Sequence, residues 1–441
     1  MKNRKIANAI FALCAKTSGL IFALVLSILV ARIFGISATG IITLGTSCGT
    51  LVGYFGSAGL NQSMTKFVAS NLVLGKGEML APVIRMVYLF SFGATVFISS
   101  LILLLLGLKK EMAFDGNEYI LFSVFFLGSA LNFASLASVG VVRGLKKPWQ
   151  SVMLEGVPVP LVSLIILGLG FFGVSDFDFW LYSILWLLGV VGVINFRLVI
   201  CRYFLRNVPG GRIHPNIEIP SLKDMLVYSR PFLIGSISTL ALVNVDNIML
   251  GFMVSNEDLG GYSIAYRLAA LLMILQAITD SFTAPRIAEL GAQKNWLKAI
   301  EVSSKACSYV IALACPVMIV FFFFGKNIVG IWGAEFVRYV DVLYVLLIGQ
   351  FVNVACGPAG KVLMYGEFGW LRNAICIGAL GIDIALNYIF ILKYGYLGAA
   401  IATSFSIACM QFCFWLAAGK VSHLYIVPKV KYIMQVLGIK G

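Results

Sequence analysis

The apolar residues of this chain come in repeated runs of about 20, each long enough to cross a bilayer as a helix. The runs lie near positions 9–33, 40–62, 84–107, 118–142, 154–174, 179–200, 230–253, 261–284, 304–325, 337–359, 370–392 and 396–418. A backbone in hydrocarbon must satisfy its own N–H and C=O groups, which leaves helices and closed barrels. A barrel would need short alternating segments, and these runs are continuous. Composition agrees: 60% of the 441 residues are hydrophobic and 12% are charged, too few to cover a soluble surface. The expected fold class is an all-α polytopic membrane protein with about twelve transmembrane helices.

Charge orients the spans. Taking the connections alternately, one set of ends and loops carries 25 Lys and Arg and the other carries 6. The positive-inside rule then predicts both termini on the cytoplasmic side. The same rule accounts for the net charge of +14 without invoking nucleic acid. The basic start, MKNRK, precedes an apolar run too long for the core of a signal peptide, so an uncleaved first span is expected. The nine cysteines form no CxxC pair, and most fall inside apolar runs. They read as small buried thiols.

The longest polar connection, near 201–228, holds Pro209, Gly210, Gly211, Pro215 and Pro220, which break regular structure. It divides the chain into an N-terminal lobe of six spans (1–205), a cytoplasmic linker (206–228), a C-terminal lobe of six spans (229–419) and a basic cytoplasmic tail (420–441). The tail reads either as a segment lying along the inner membrane surface or as a disordered end.

Beyond those counted to loops and span ends, five charged residues remain inside the spans: Lys16, Asp246, Arg267, Asp280 and Asp383. Each costs on the order of 2.5–3.5 kcal/mol at a helix centre, so each needs a partner, water or a ligand. Lys16 shares a helical stripe with Ala12, Gly19, Ala23 and Ser27, which suits a cavity wall; a lysine snorkelling to headgroups is the other reading. Arg267 lies about six residues into its span, roughly 9 Å deep. Asp246 matches it in depth on the preceding span, so an ion pair that exchanges for phosphate is expected. Asp280 stands near a cytoplasmic span end, one turn from Gln276 and on the face opposite Arg267. Asp383, one turn from Asn387, reads as a coupling-ion or proton site or as a helix–helix hydrogen bond. No catalytic constellation, metal-ligand cluster or cofactor motif is legible, so no enzyme activity and no cofactor are expected.

Several stretches resemble, in order along the chain, the polysaccharide repeat-unit flippases of the multidrug/oligosaccharidyl-lipid/polysaccharide exporter superfamily. They are VARIFGISATG (30–40), GSAGLNQSMTKFVA (56–69), Pro231–Leu268, FTAPRIAEL (282–290), GPAGKVLMYGEFGWLRN (357–373) and LNYIFILKYGYLGAAIATSFS (386–406). The resemblance implies two six-helix lobes around a partly cationic cavity. It also implies translocation of undecaprenyl-pyrophosphate-linked oligosaccharide from the inner to the outer leaflet of a bacterial cytoplasmic membrane. Arg267 matches an arginine of lipid II flippases that resembles a diphosphate contact. Lys16 stands where those flippases carry arginines, and this chain lacks their two extra helices. On this reading Lys16 and Arg267 meet the diphosphate, and Asn61, Gln62, Asn244 and Asn247 meet sugar hydroxyls. Expected partners are the lipid-linked oligosaccharide, membrane lipid, a polysaccharide polymerase and a chain-length regulator, with no nucleic acid. The pathways implied are O-antigen, lipopolysaccharide or capsule synthesis. Two other readings are a cation-coupled multidrug antiporter, weakened by the lack of a buried N-lobe acid, and a membrane glycan-assembly enzyme.

Overall fold

The computed structural model describes residues 2–73, 79–108, 116–173, 177–206, 220–365, 368–429 and 432, and nearly all of these are helical. Most of the expected linker, 207–219, and tail residues 430, 431 and 433–441 lie outside the described residues. The chain divides into two compact units, Met1–Leu240 and Ala241–Gly441. The division falls inside a helix.

The first unit holds α1 (Lys2–Gly56), α2 (Leu60–Val73), α3 (Leu80–Leu108), α4 (Gly116–Ala134), α5 (Leu136–Gly144), α6 (Pro148–Gly156), α7 (Pro158–Gly173), α8 (Phe179–Arg206) and the start of α9 (Leu222–Met253). Gly35 breaks α1 at φ 82°, ψ −176°, a conformation that disfavours any Cβ. Gly45, Gly49 and Gly53, one turn apart, lay α1 directly on the backbone of α4. A Cβ at Gly49 would sit 2.2 Å from the Phe126 carbonyl oxygen, and one at Gly53 would sit 2.4 Å from that of Ala130. Such small-residue stripes let membrane helices approach closely where no hydrophobic drive exists between them.

Two spans of this unit are broken. One bends between α6 and α7 by 42°, and the other is interrupted at Ser135 between α4 and α5. Both breaks free backbone carbonyls, and Arg197 of α8 reaches both. Its Nε donates to Leu154 O at 2.8 Å, and Nη1 donates to Asn132 Oδ1 at 2.7 Å and Ser135 Oγ at 2.6 Å. Nη2 lies 3.4 Å from Glu155 O. Arg197 is 1% exposed. Arg197 is one of the 25 basic residues that the alternation of connections gives to the cytoplasmic side, but it is a buried clamp near the end of an apolar run and not a loop charge. At the start of α9, Ser221 donates to Asp224 Oδ2 from N at 2.9 Å and from Oγ at 2.7 Å, a closed N-terminal cap. Those hydrogen bonds hold the Asp224 carboxyl below the usual carboxylate range.

The second unit holds the rest of α9 with α10 (Asn256–Ala270), α11 (Leu272–Ala292), α12 (Trp296–Val329), a short 3-10 turn (Ala334–Tyr339), α13 (Val340–Tyr365) and α14 (Gly369–Ser422). α14 folds back on itself at Gly395, φ 58°, ψ −138°. A Cβ at Gly398 would lie 2.0 Å from Phe390 O, a contact that eight residues of straight helix cannot make. The last two expected spans are thus the arms of this hairpin.

Past α14 the chain does not lie free. His423 takes the left-handed conformation, φ 56°, and turns residues 424–429 back along α12. Val427 N donates to Ser304 Oγ at 3.3 Å and Lys429 N donates to Ser308 Oγ at 2.8 Å. The match is one of periods. Alternate residues of an extended chain are about 6.6 Å apart, close to the one-turn spacing of two helix positions. Ile426 fills a pocket among Ile287, Cys307, Leu363, Cys376 and Phe414. The expected membrane-surface or disordered tail is, up to Lys429, a docked strap. The cysteines are free, and Cys14, Cys315 and Cys413 are exposed, which corrects the expectation of buried thiols.

Candidate functional site

In the second unit a buried polar cluster forms between α9, α10 and both arms of α14. Asp246 is 1% exposed. It accepts hydrogen bonds from Tyr262 Oη at 3.0 Å, Asn387 Nδ2 at 3.0 Å and Thr403 Oγ1 at 2.7 Å. Asp383, also 1% exposed, stands beside Asp246 and Ser406 without the alignment of a hydrogen bond. Both of its carboxyl oxygens, Asn387 Oδ1 and Ser406 Oγ are buried without a hydrogen-bond partner among the described residues. The Thr403 hydroxyl also lies 2.9 Å from Ala399 O, and its single proton can serve only one acceptor. The cluster is therefore rich in oxygen acceptors and short of donors. No cationic side chain pairs with either carboxylate among the described residues.

The expected ion pair between Asp246 and Arg267 is not formed. The expected match in depth along the two helices does not bring the side chains together. Asp246 points to Tyr262, Asn387 and Thr403, whereas Arg267, in the last turn of α10 before the interruption at Leu271, is exposed. Among the described residues Arg267 has no hydrogen bond or ion pair. This is an expensive state for a guanidinium within an apolar span, and it leaves all five N–H donors available.

The other polar residues separate by unit. Lys16 is exposed on α1, Asn61 is 8% exposed at the start of α2, and Gln62 beside it is exposed. The Asn61 carbonyl oxygen packs on Gly140, where a Cβ would lie at 2.2 Å, and its side-chain Oδ1 is buried without a partner among the described residues. Asn244 and Asn247 are half-buried on α9. Asp280 forms an ion pair with Lys361 of α13 at 3.2 Å, and Gln276 packs against Gly357 one turn along, where a Cβ would lie 2.0 Å from Nε2. These two therefore join α11 to α13.

Sequence reasoning missed three members of the acidic cluster: Tyr262, Thr403 and Ser406. Each stands among other hydroxyl residues in an apolar span, Tyr262 beside Ser263 and both Thr403 and Ser406 beside Ser404, a pattern also produced by ordinary helix packing. Arg197 was missed as a buried group because Arg202 and Arg206 follow it closely.

Paired helices broken by glycine, with charged groups inside long apolar runs, define a polytopic all-α membrane fold. Solved structures agree on the fold. A multidrug-resistance MATE transporter of the MOP superfamily, in an inward-facing conformation, superposes with a TM-score of 0.70 at 13% identity over 94% of this chain and 98% of that one. The lipid II flippase MurJ, inward closed, gives 0.65 at 13% identity over 98% and 90%.

The chain belongs to the family described as polysaccharide biosynthesis protein, whose match covers residues 6–291. It is 26% identical over 205 residues to the probable low-salt glycan biosynthesis flippase Agl15 of Haloferax volcanii, covering 45% of this chain and 43% of that one. It is 24% identical over 233 residues to a Shigella flexneri protein assigned as an O-antigen transporter, covering 51% of this chain and 54% of that one. The matches span about half the length of these curated relatives.

Proposed function

We propose that this protein is a flippase for lipid-linked oligosaccharide. The observation that carries the reading is Arg267: exposed, without an ion pair or hydrogen bond among the described residues, and inside an apolar run. A diphosphate cannot enter hydrocarbon with its water and counter-ions, and a guanidinium fork replaces both with charge-assisted hydrogen bonds. Lys16 supplies a second positive group. Asn61, Gln62, Asn244 and Asn247 meet sugar hydroxyls, and the polyprenyl tail stays in lipid. The substrate is an undecaprenyl-pyrophosphate-linked repeat unit, moved from the inner to the outer leaflet of a bacterial cytoplasmic membrane. Both termini are cytoplasmic, and two six-span lobes rock around the substrate. The product passes to a polysaccharide polymerase and chain-length regulator in surface-glycan assembly. Family membership and the flippase relatives support this reading.

The acidic cluster is the coupling site. Two carboxylates buried together need a proton or a cation between them. The free acceptors around Asp246 and Asp383 are all oxygens, which suits a hard cation. Its occupancy biases one arrangement of the α9 and α14 helices over another.

Arg267→Ala should abolish surface polysaccharide in a strain that depends on this gene, with the protein still in the membrane, and Arg267→Lys should restore part of it. Full polysaccharide from the alanine variant would remove the diphosphate role. Asp246→Asn and Asp383→Asn should each weaken the cation or pH dependence of transport. Combined, they should do little more than either alone, because they disable one site. Additive losses would separate the two carboxylates.

A further inference from the structure

The first unit carries a groove that the transport cycle above does not use. It is open, holds about 660 Å³, and is lined by Ala81, Pro82, Arg85, Met86, Leu89, Phe90 and Leu222. That volume is ordinary for a small-molecule site. Its floor is apolar core: Met86 and Phe90 pack on the cluster of Leu60, Met64, Val83 and Val87. Its one charged wall residue is Arg85, which is exposed and has no hydrogen bond or ion pair among the described residues. Asp224, capped by Ser221 at the start of α9, forms no ion pair with Arg85 among the described residues. Lys223, next to the groove residue Leu222, is exposed as well.

Beyond the groove α3 stays apolar and exposed: Leu89 follows Arg85 one turn on at 66% exposed, and Phe97, Leu101, Leu104 and Leu108, on the Met86 and Phe90 side of the helix, are 70%, 46%, 60% and 71% exposed. From Arg85 to Leu108 the helix rises about 35 Å, close to the thickness of a bilayer core. So α3 offers one cation at a membrane boundary, an indentation beside it and an acyl-compatible face beyond.

We propose that this groove binds an anionic phospholipid, with its phosphate on Arg85 and one acyl chain against Met86, Leu89 and Phe90. Charge complementarity selects the headgroup, and the apolar walls hold the chain. The site is distinct from Arg267 and stands whether or not the flippase reading does.

The test uses the full-length protein in vesicles doped with diazirine-labelled phosphatidylglycerol or phosphatidylcholine at equal mole fraction. After illumination, labelled peptides are mapped by mass spectrometry. Labelling within 79–108 should favour phosphatidylglycerol by about fivefold, the factor expected of one basic side chain near an anionic surface. Arg85→Gln should bring the ratio close to one, and Arg85→Lys should recover most of it. Equal labelling by the two lipids, or a preference untouched by Arg85→Gln, would mean ordinary boundary lipid and overturn the proposal. So would label displaced by undecaprenyl diphosphate but not by unlabelled phosphatidylglycerol, which would give the groove to the substrate tail.

Discussion

Two arginines of this chain sit in apolar spans and live in opposite conditions. Arg197 is fully buried and spends its donors on oxygens of Asn132, Ser135, Leu154 and Glu155, whereas Arg267 is exposed and has no protein partner among the described residues. The first is structural and the second is available. Arg197→Ala should leave several buried acceptors unpaired, each costing about 1–3 kcal/mol, and should lower the melting temperature in detergent sharply. Arg197→Lys should rescue it poorly, because one ammonium cannot span both helix breaks. An unchanged melting curve for the alanine variant would show that the clamp is dispensable. The contrast was only half legible in the sequence. Arg267 stands alone in an apolar run and announces itself, while Arg197 precedes Arg202 and Arg206 and looks like part of a basic loop. The Asp246 pairing failed for a related reason: residue spacing gives depth along a helix but not the direction faced across to a neighbour. Because the two are separate, combining Asp246→Asn with Arg267→Lys should give additive losses in transport.

At the scale of elements, the apolar runs were read directly, because run length against bilayer thickness is a strong constraint. Breaks inside spans were harder. Nothing in the sequence around Ser135 or Leu271 sets it apart from continuous helix, and only the packing shows the interruptions. The C-terminal strap was also hidden. Its register depends on Ser304 and Ser308, more than a hundred residues upstream and unremarkable among the serines of α12. Replacing both with alanine removes two backbone hydrogen bonds worth about 1 kcal/mol each. The double variant should melt several degrees lower and become sensitive to trypsin at Lys429. Unaltered melting and cleavage would show that the strap rests on Ile426 and its apolar neighbours alone.

At the scale of the molecule, the family and the fold rest on sequence and structural matches, and the activity rests on a few polar groups in hydrocarbon. The expected division into lobes came from a proline- and glycine-rich stretch, much of which lies at 207–219 outside the described residues. The compact units divide further on, at Leu240 within α9, so one long helix belongs to both. The helix that carries Asp246 begins in the first unit and ends in the second.

The most direct measurement places the purified protein in vesicles with a fluorescent undecaprenyl-diphosphate-linked oligosaccharide distributed over both leaflets. A membrane-impermeant reductant then reports the fraction exposed over time. Wild-type protein should bleach the inner-leaflet pool far faster than protein-free vesicles, and Arg267→Ala should bleach it no faster than protein-free vesicles do. Wild-type vesicles that behave like empty ones, or an Arg267→Ala variant as fast as wild type, would contradict the account.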